Sequence, residues 1–372
     1  LTAAQPRAPR RGGQAVVGRG PDPAGQARAA FRALHARLPD PGGVRLTEYV
    51  TVAALDAYPE VEAARTAVFP GAGEDLRTVV VEALPDPGAL LAVHAGPGTD
   101  ASGAGTVRLP TVLPLDDRGD LVHPDDFVAQ YAYCLSRAGR LLKRAGLSLD
   151  QAVTTFDYTT PATRRAYPRC AGPRRELLGG AGVFPGAGGI LMSRLHAPGV
   201  LVALDVTASR HPPAAVNPGW RRYDTLTYSP GVLAGRTLHM SGFAALDMET
   251  QRALYPGDPV AQTEAVLAAV LEVVAAAGGS PGDLVSVEEY LCPAALGERA
   301  AVAAAHARTL GPGPRPVVTT VGCAGLLRRE FLTEVFPTAV LRGTPPAEPA
   351  EPVAPAGPAA SAEPVALPGG TR

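Results

Sequence analysis

Three times along the chain an amphipathic helix leads into a strand that closes on tyrosine, then a second helix, then two more strands separated by a turn. The tyrosines are Tyr49 (VRLTEYV), Tyr158 (VTTFDYT) and Tyr290 (VSVEEYL). Each is followed about 43 to 45 residues later by the middle of an apolar alternating strand: LLAVHA at 90–95, VLVALDVTA at 200–208 and FLTEVFPTAV at 331–340. A chain of this kind must build three similar sheets. Each sheet covers one face with its own helices, and the nearest partner for its second apolar face is another copy.

The spacing predicts copies at 14–98, 104–212 and 223–342, flanked by Pro- and Ala-rich tails at 1–13 and 343–372 that lack hydrophobic periodicity. In the first copy, AGQARAAFRALHARL at 24–38 reads as a helix and a second helix falls near 57–68. LRTVVVEAL and ALLAVHA read as a hairpin around a PDPG turn at 85–88. The second copy opens with a strand at 106–113 and a helix at 124–145, its start marked by HPDD. The third has an opening hairpin over 225–246, helices at 258–277 and 296–309, and a closing hairpin. The fold class expected is α+β, with helices on one face of each sheet.

Composition narrows the partners. Thirty-four basic against 35 acidic residues, a net charge of -1, provide no field for nucleic acid or an anionic membrane, which leaves a small-molecule substrate. Four cysteines form no CxxC pair and no zinc signature, so the expectation is a reduced, cytoplasmic protein with no metal or organic cofactor. The most apolar run, AVLAAVLEVVAAA at 265–277, carries Glu272 and is short for a bilayer span.

From YSPGVLAGRTLHMSGFAALD through GDPVAQTEAVLAAVLEVVAAAGGSPGDLVSVEEYL to the closing strand, residues 225–341 resemble the RidA/YjgF family of small imine-processing proteins. The earlier copies resemble the same template more weakly. Family members are typically trimers with chorismate-mutase-like subunits and clefts at the subunit interfaces. The resemblance therefore implies a single-chain pseudo-trimer, either monomeric or paired into a homodimer. The glycine-rich GGAGVFPGAGGILM at 179–192 is also distantly similar to a segment of the chorismatases.

The resemblance implies a strand arginine that holds a substrate carboxylate and, about fifteen residues later, a glutamate that moves a proton or positions water. The first copy keeps the arginine as Arg77 but has Ala92 at the glutamate position; the third keeps Glu334 but lacks the aligned arginine, Arg315 being displaced. The second has Ala203 and a glycine. This complementary loss predicts one composite cleft with Glu334 as the catalytic group and Arg77, Tyr228, Ser241 and Gly242 as substrate contacts. His94, two residues beyond the first copy's glutamate position, is a candidate acid or base, and Cys323 a candidate neighbour of the ligand. Each has an ordinary structural alternative: a satisfied histidine, a buried thiol, a surface ion pair for Arg77, a turn or bulge for Tyr228 and Ser241.

The implied function is a cofactor-independent acid/base enzyme of specialised metabolism acting on a reactive enamine, imine or enol by cyclisation, aromatisation or hydrolysis. A RidA-type deaminase and a non-catalytic binding module are the alternatives. For the glycine-rich stretch, which lacks the Gly-Lys-Ser/Thr ending of a phosphate loop, a tight turn or a close chain crossing is the expected role.

Overall fold

The computed structural model describes residues 15–38, 44–72, 76–97, 105–180 and 182–343; the stretches expected as tails lie outside these, Gly343 excepted. In chain order the first group of elements is β1 (Val16–Val17), α1 (Pro23–His35), β2 (Val44–Thr51), α2 (Tyr58–Val68), β3 (Arg77–Val81) and β4 (Leu91–Pro97). Next come β5 (Thr106–Arg108), α3 (Phe127–Arg144), β6 (Ala152–Thr159), α4 (Ala171–Leu178), β7 (Gly186–Leu191) and β8 (Val202–Ser209). The remainder is β9 (Pro213–Val216), β10 (Gly231–Ala234), β11 (Thr237–Met240), β12 (Phe243–Ala244), α5 (Pro259–Ala276), β13 (Leu284–Leu291), α6 (Pro293–Leu296), α7 (Arg299–Leu310), β14 (Val317–Gly322), β15 (Gly325–Leu326) and β16 (Thr333–Val340).

These strands make three mixed sheets: β1-β4-β2-β3, β15-β7-β6-β8-β5, and β14-β13-β16-β11-β10-β9, with β12 beside β16. At the centre of each, a tyrosine strand pairs parallel with one neighbour and antiparallel with the other. The closing pairs of strands are therefore not hairpins. β3 and β4 never touch, because β2 lies between them, and β13 separates β14 from β16 in the same way. A helix-length connection before the parallel strand carries the chain over the sheet and leaves the slot that the last strand fills.

The first helix of each group starts alike. Asp22, Asp126 and Asp258 accept hydrogen bonds from backbone N–H groups of the first turn, which caps α1, α3 and α5. Four residues on, Gln26, Gln130 and Gln262 are buried, and each ties its helix to the turn before the last strand. Their amide oxygens accept from the backbone N–H of Leu90, Leu201 and Leu332, while Nε2 donates to Gly88, Gly199 and Glu330 carbonyls. Each amide thus satisfies backbone groups that would otherwise be orphaned in the interior.

Strand alternation then sorts the faces. Outward-facing side chains pack with helices into separate clusters around Phe31, Tyr131 and Val270. Inward-facing ones from all three sheets share a single cluster that holds Tyr49, Tyr158 and Tyr290 together. Among the described residues only α5 is long and apolar enough to cross a membrane; Val266, Val270, Val273 and Val274 on it are buried in the third sheet's cluster.

Backbone pairs also join the sheets. β15 pairs with β7, and Ala83 forms an antiparallel bridge with Gly322. β9, which precedes the start expected for the third copy at 223, forms the edge of the third sheet.

Candidate active site

Register superimposes the three sheets position by position. Tyr49 faces Ala92, Tyr158 faces Ala203, and Tyr290 faces Glu334. Two residues earlier, Thr47, Phe156 and Glu288 face Arg77, Gly188 and Thr319 on the parallel side and His94, Asp205 and Phe336 on the antiparallel side. The glutamate position is thus acidic in the third sheet alone, and the arginine position is basic in the first alone.

Glu334 lines a cleft of about 370 Å³ between the second and third sheets. Ala187, Gly188 and Gly189 come from β7, Tyr167 and Arg174 from the segment before it, and Tyr223, Tyr228, Gly242, Phe243 and Phe331 from the third group. Glu334 as a residue is 7% exposed, and its carboxyl makes no hydrogen bond or ion pair with another described residue. Burial, reinforced by the nearby Cys292, pushes its pKa up to about 8. A carboxyl that keeps its proton at neutral pH while lining a cleft is suited to general acid chemistry.

Glycine is required beside it. A Cβ at Gly188 would run into the Phe336 ring and come within 3.3 Å of Glu334 Oε1, and one at Gly242 would meet both groups. Gly186 passes the backbone of Met240 and Ser241 so closely that a Cβ would lie 3.1 Å from it. The glycine-rich stretch is therefore a close chain crossing.

Ser241 secures that crossing and does not line the cleft. Its Oγ accepts from Ala187 N–H at 2.9 Å and donates to Ser229 O at 2.6 Å, while Gly242 N–H donates to Ala187 O. The expected substrate-binding role of Ser241 is corrected to docking β7 on the third sheet. Gly242 and Tyr228 do line the cleft. The Tyr228 hydroxyl accepts from Arg222 at 3.2 Å.

Arg77 is not part of this cleft, which corrects the composite site. It donates from Nε to Asp205 at 2.5 Å, through Nη1 and Nη2 to both Glu288 oxygens at 3.0 and 3.1 Å, and from Nη2 to the Tyr158 hydroxyl at 2.6 Å. A fork engaged by two carboxylates has no open face for a substrate acid. The physical reason is the order of the sheets: β3, which carries Arg77, abuts β8 of the second sheet, whereas Glu334 on β16 meets β7.

The remaining candidates also fall elsewhere. His94 is half-buried on β4 and Arg315 is exposed, and neither lines the Glu334 cleft. Cys323 is fully buried, its Sγ 4.0 Å from Cys292 Sγ, and is not a lining residue.

A second set of acids recurs beside the three tyrosines. The residue before each tyrosine is Glu48, Asp157 or Glu289, and alternation turns it to the helix side. Glu48 accepts from Arg65 at 2.8 Å, Asp157 from the Tyr167 hydroxyl at 2.6 Å, and Glu289 sits 2.9 Å from His306 Nε2. The recurrent acid–tyrosine dipeptide was the available signal. These acids pin the second helical segment of each group to its sheet.

Comparison with known proteins agrees with the third segment. Residues 222–341 match the Endoribonuclease L-PSP family, which includes the RidA/YjgF proteins. A protein of unknown function from Pseudomonas aeruginosa is 31% identical over 32% of this chain and 84% of its own, with a TM-score of 0.28. The YjgF gene product of E. coli is 27% identical over 30% of this chain and 87% of its own (TM-score 0.28). A YjgF/YER057c/UK114 family member from Mycobacterium tuberculosis is 22% identical over 35% and 99% (TM-score 0.30).

Proposed function

We propose that the chain is a cofactor-independent acid/base enzyme acting on a small enamine or imine, with Glu334 as the proton-transfer group. The observation that carries this is the buried, unpaired Glu334 carboxyl in the cleft, with its pKa near 8. The protonated carboxyl would donate to the imine nitrogen, or to the enamine carbon, to give an iminium. The resulting carboxylate would then take a proton from water as the water oxygen bonds to the iminium carbon. Glu334 then protonates the carbinolamine nitrogen and takes back the hydroxyl proton as the C–N bond breaks, so that ammonia leaves, a carbonyl forms and Glu334 is protonated again. The same donor would serve a cyclisation or aromatisation of a reactive precursor in specialised metabolism.

We further take the three registers as three RidA-like copies in one pseudo-trimeric ring with a single acidic joint. Supporting this are the matched positions around each tyrosine, the repeated Asp-x-x-x-Gln helix starts, and the tyrosines' shared core. The test is imine hydrolysis: imines generated in situ from benzylamine by a flavin-dependent amine oxidase, with ammonia and carbonyl release compared between the wild type and Glu334→Gln. A wild-type acceleration lost in the variant is expected. Equal rates would overturn the role given to Glu334.

A further inference from the structure

We infer that the Glu334 cleft takes a planar, ring-bearing ligand with a carbonyl or imine acceptor, not a small 2-oxo or 2-imino acid gripped by an arginine; this rests on the acid/base role proposed above. At the register position where the first sheet presents Arg77, the wall facing Glu334 presents Gly188. No guanidinium stands there to receive a carboxylate. The buried arginine of the cleft is already committed, since Arg174 donates to Thr227 O, the Tyr131 hydroxyl and Thr155 Oγ1. Arg175 and Arg328 are exposed, Arg328 also donating to Gln251 O, and the half-buried Arg222 donates to the Tyr228 hydroxyl and lies over the Tyr223 ring.

The uncharged walls of the cleft are flat. Three consecutive small residues, Ala187 to Gly189, offer mostly bare backbone, and the aromatic side chains Tyr167, Tyr223, Tyr228, Phe243 and Phe331 supply ring surface. Tyr223 stands edge-on to Tyr228, their centroids 5.6 Å apart, with Arg222 over the Tyr223 ring at 5.3 Å. A volume of about 370 Å³ lies within the range of organic-ligand sites and exceeds what a three- or four-carbon acid would fill. Aromatic walls and bare backbone favour a flat π-surface, and the Glu334 proton requires one acceptor on its edge.

The protein carries its own reporter. Trp220, the only tryptophan, has its ring 5.9 Å from Tyr223 and 6.1 Å from Phe243, so a ligand against those rings alters its emission. The experiment titrates the full chain with 2-acetylnaphthalene, and separately with pyruvate and 2-oxobutanoate, following Trp220 fluorescence with calorimetry as a second readout. Saturable binding of the naphthyl ketone, with no binding of either 2-oxo acid in the same concentration range, is expected. Tyr223→Leu, a half-buried position, should weaken the ketone about tenfold. Gly188→Ala should block it, thermal unfolding reporting whether each variant stays folded.

Tighter binding of the 2-oxo acids, or a folded Tyr223→Leu protein with undiminished ketone affinity, overturns the inference. The two readings fail separately. Ketone binding together with imine hydrolysis untouched by Glu334→Gln would remove the acid/base role and keep the ligand class. Preference for 2-oxo acids with hydrolysis lost in Glu334→Gln would do the reverse.

Discussion

Tyr290 and Glu334 stand opposite each other across β13 and β16, in the register that places Tyr49 opposite Ala92 and Tyr158 opposite Ala203. One position around a shared tyrosine core is acidic in one sheet and methyl-bearing in the other two. Burial of that single carboxyl has a measurable cost.

Because the Glu334 pKa is raised to about 8 in the fold from an ordinary 4.5, the folded state binds more protons than the unfolded state between those values. Its contribution to stability is therefore greatest at low pH and is lost as pH rises towards 8, after which the loss levels off. Between pH 7 and 9.5 the wild type should lose about 1.4 kcal/mol relative to Glu334→Gln, which cannot ionise. Urea unfolding of both proteins at the two pH values measures the difference; a gap that does not change with pH would contradict the burial argument.

Arg77 is a structural keystone in this geometry. Arg77→Leu strands Asp205 and Glu288 together at the junction and should cost about 3–5 kcal/mol. Affinity in the Glu334 cleft should stay unchanged under conditions where the variant remains folded. A variant of near wild-type stability that bound cleft ligands poorly would restore Arg77 to the site.

Ser241→Ala removes the acceptor for Ala187 N–H and the donor to Ser229 O, leaving a buried N–H without its partner. A loss of about 1–3 kcal/mol is expected. Hydrogen exchange should quicken selectively at β7, where the docking is lost, compared with β3 and β14.

Gln262→Leu deprives the backbone N–H of Leu332 and the carbonyls of Leu254, Tyr255 and Glu330 of their shared amide. Thermal unfolding should register about 1–3 kcal/mol of destabilisation. Gln26→Leu and Gln130→Leu, at the matching positions, should fall in the same range.

The tyrosine spacing made the strand registers legible, because period-2 alternation and a fixed interval locate Ala92, Ala203 and Glu334 without any knowledge of packing. Adjacency was not legible. Hydrophobic pattern identifies β3 and β4 as strands, yet gives no sign that β2 enters between them. Nor does it say which sheet neighbours which, and the complementary losses alone point Arg77 to Glu334 although its partners are Asp205 and Glu288. Gly188 illustrates the same limit: a glycine-rich run announces close approach, but what approaches, here Phe336 and Glu334, is a property of the assembled sheets.

Covalent linkage gives the matched registers a further consequence. In an assembly of identical subunits, exchanging the arginine-position residue for glycine would strip every interface at once, and with it whatever the arginine held elsewhere. Here Gly188 opens the wall beside Glu334 while Arg77, its counterpart, stays locked to Asp205 and Glu288. Each sheet can acquire its own residues without imposing them on the others, so a change beside Glu334 need not disturb the ion pairs that hold Arg77.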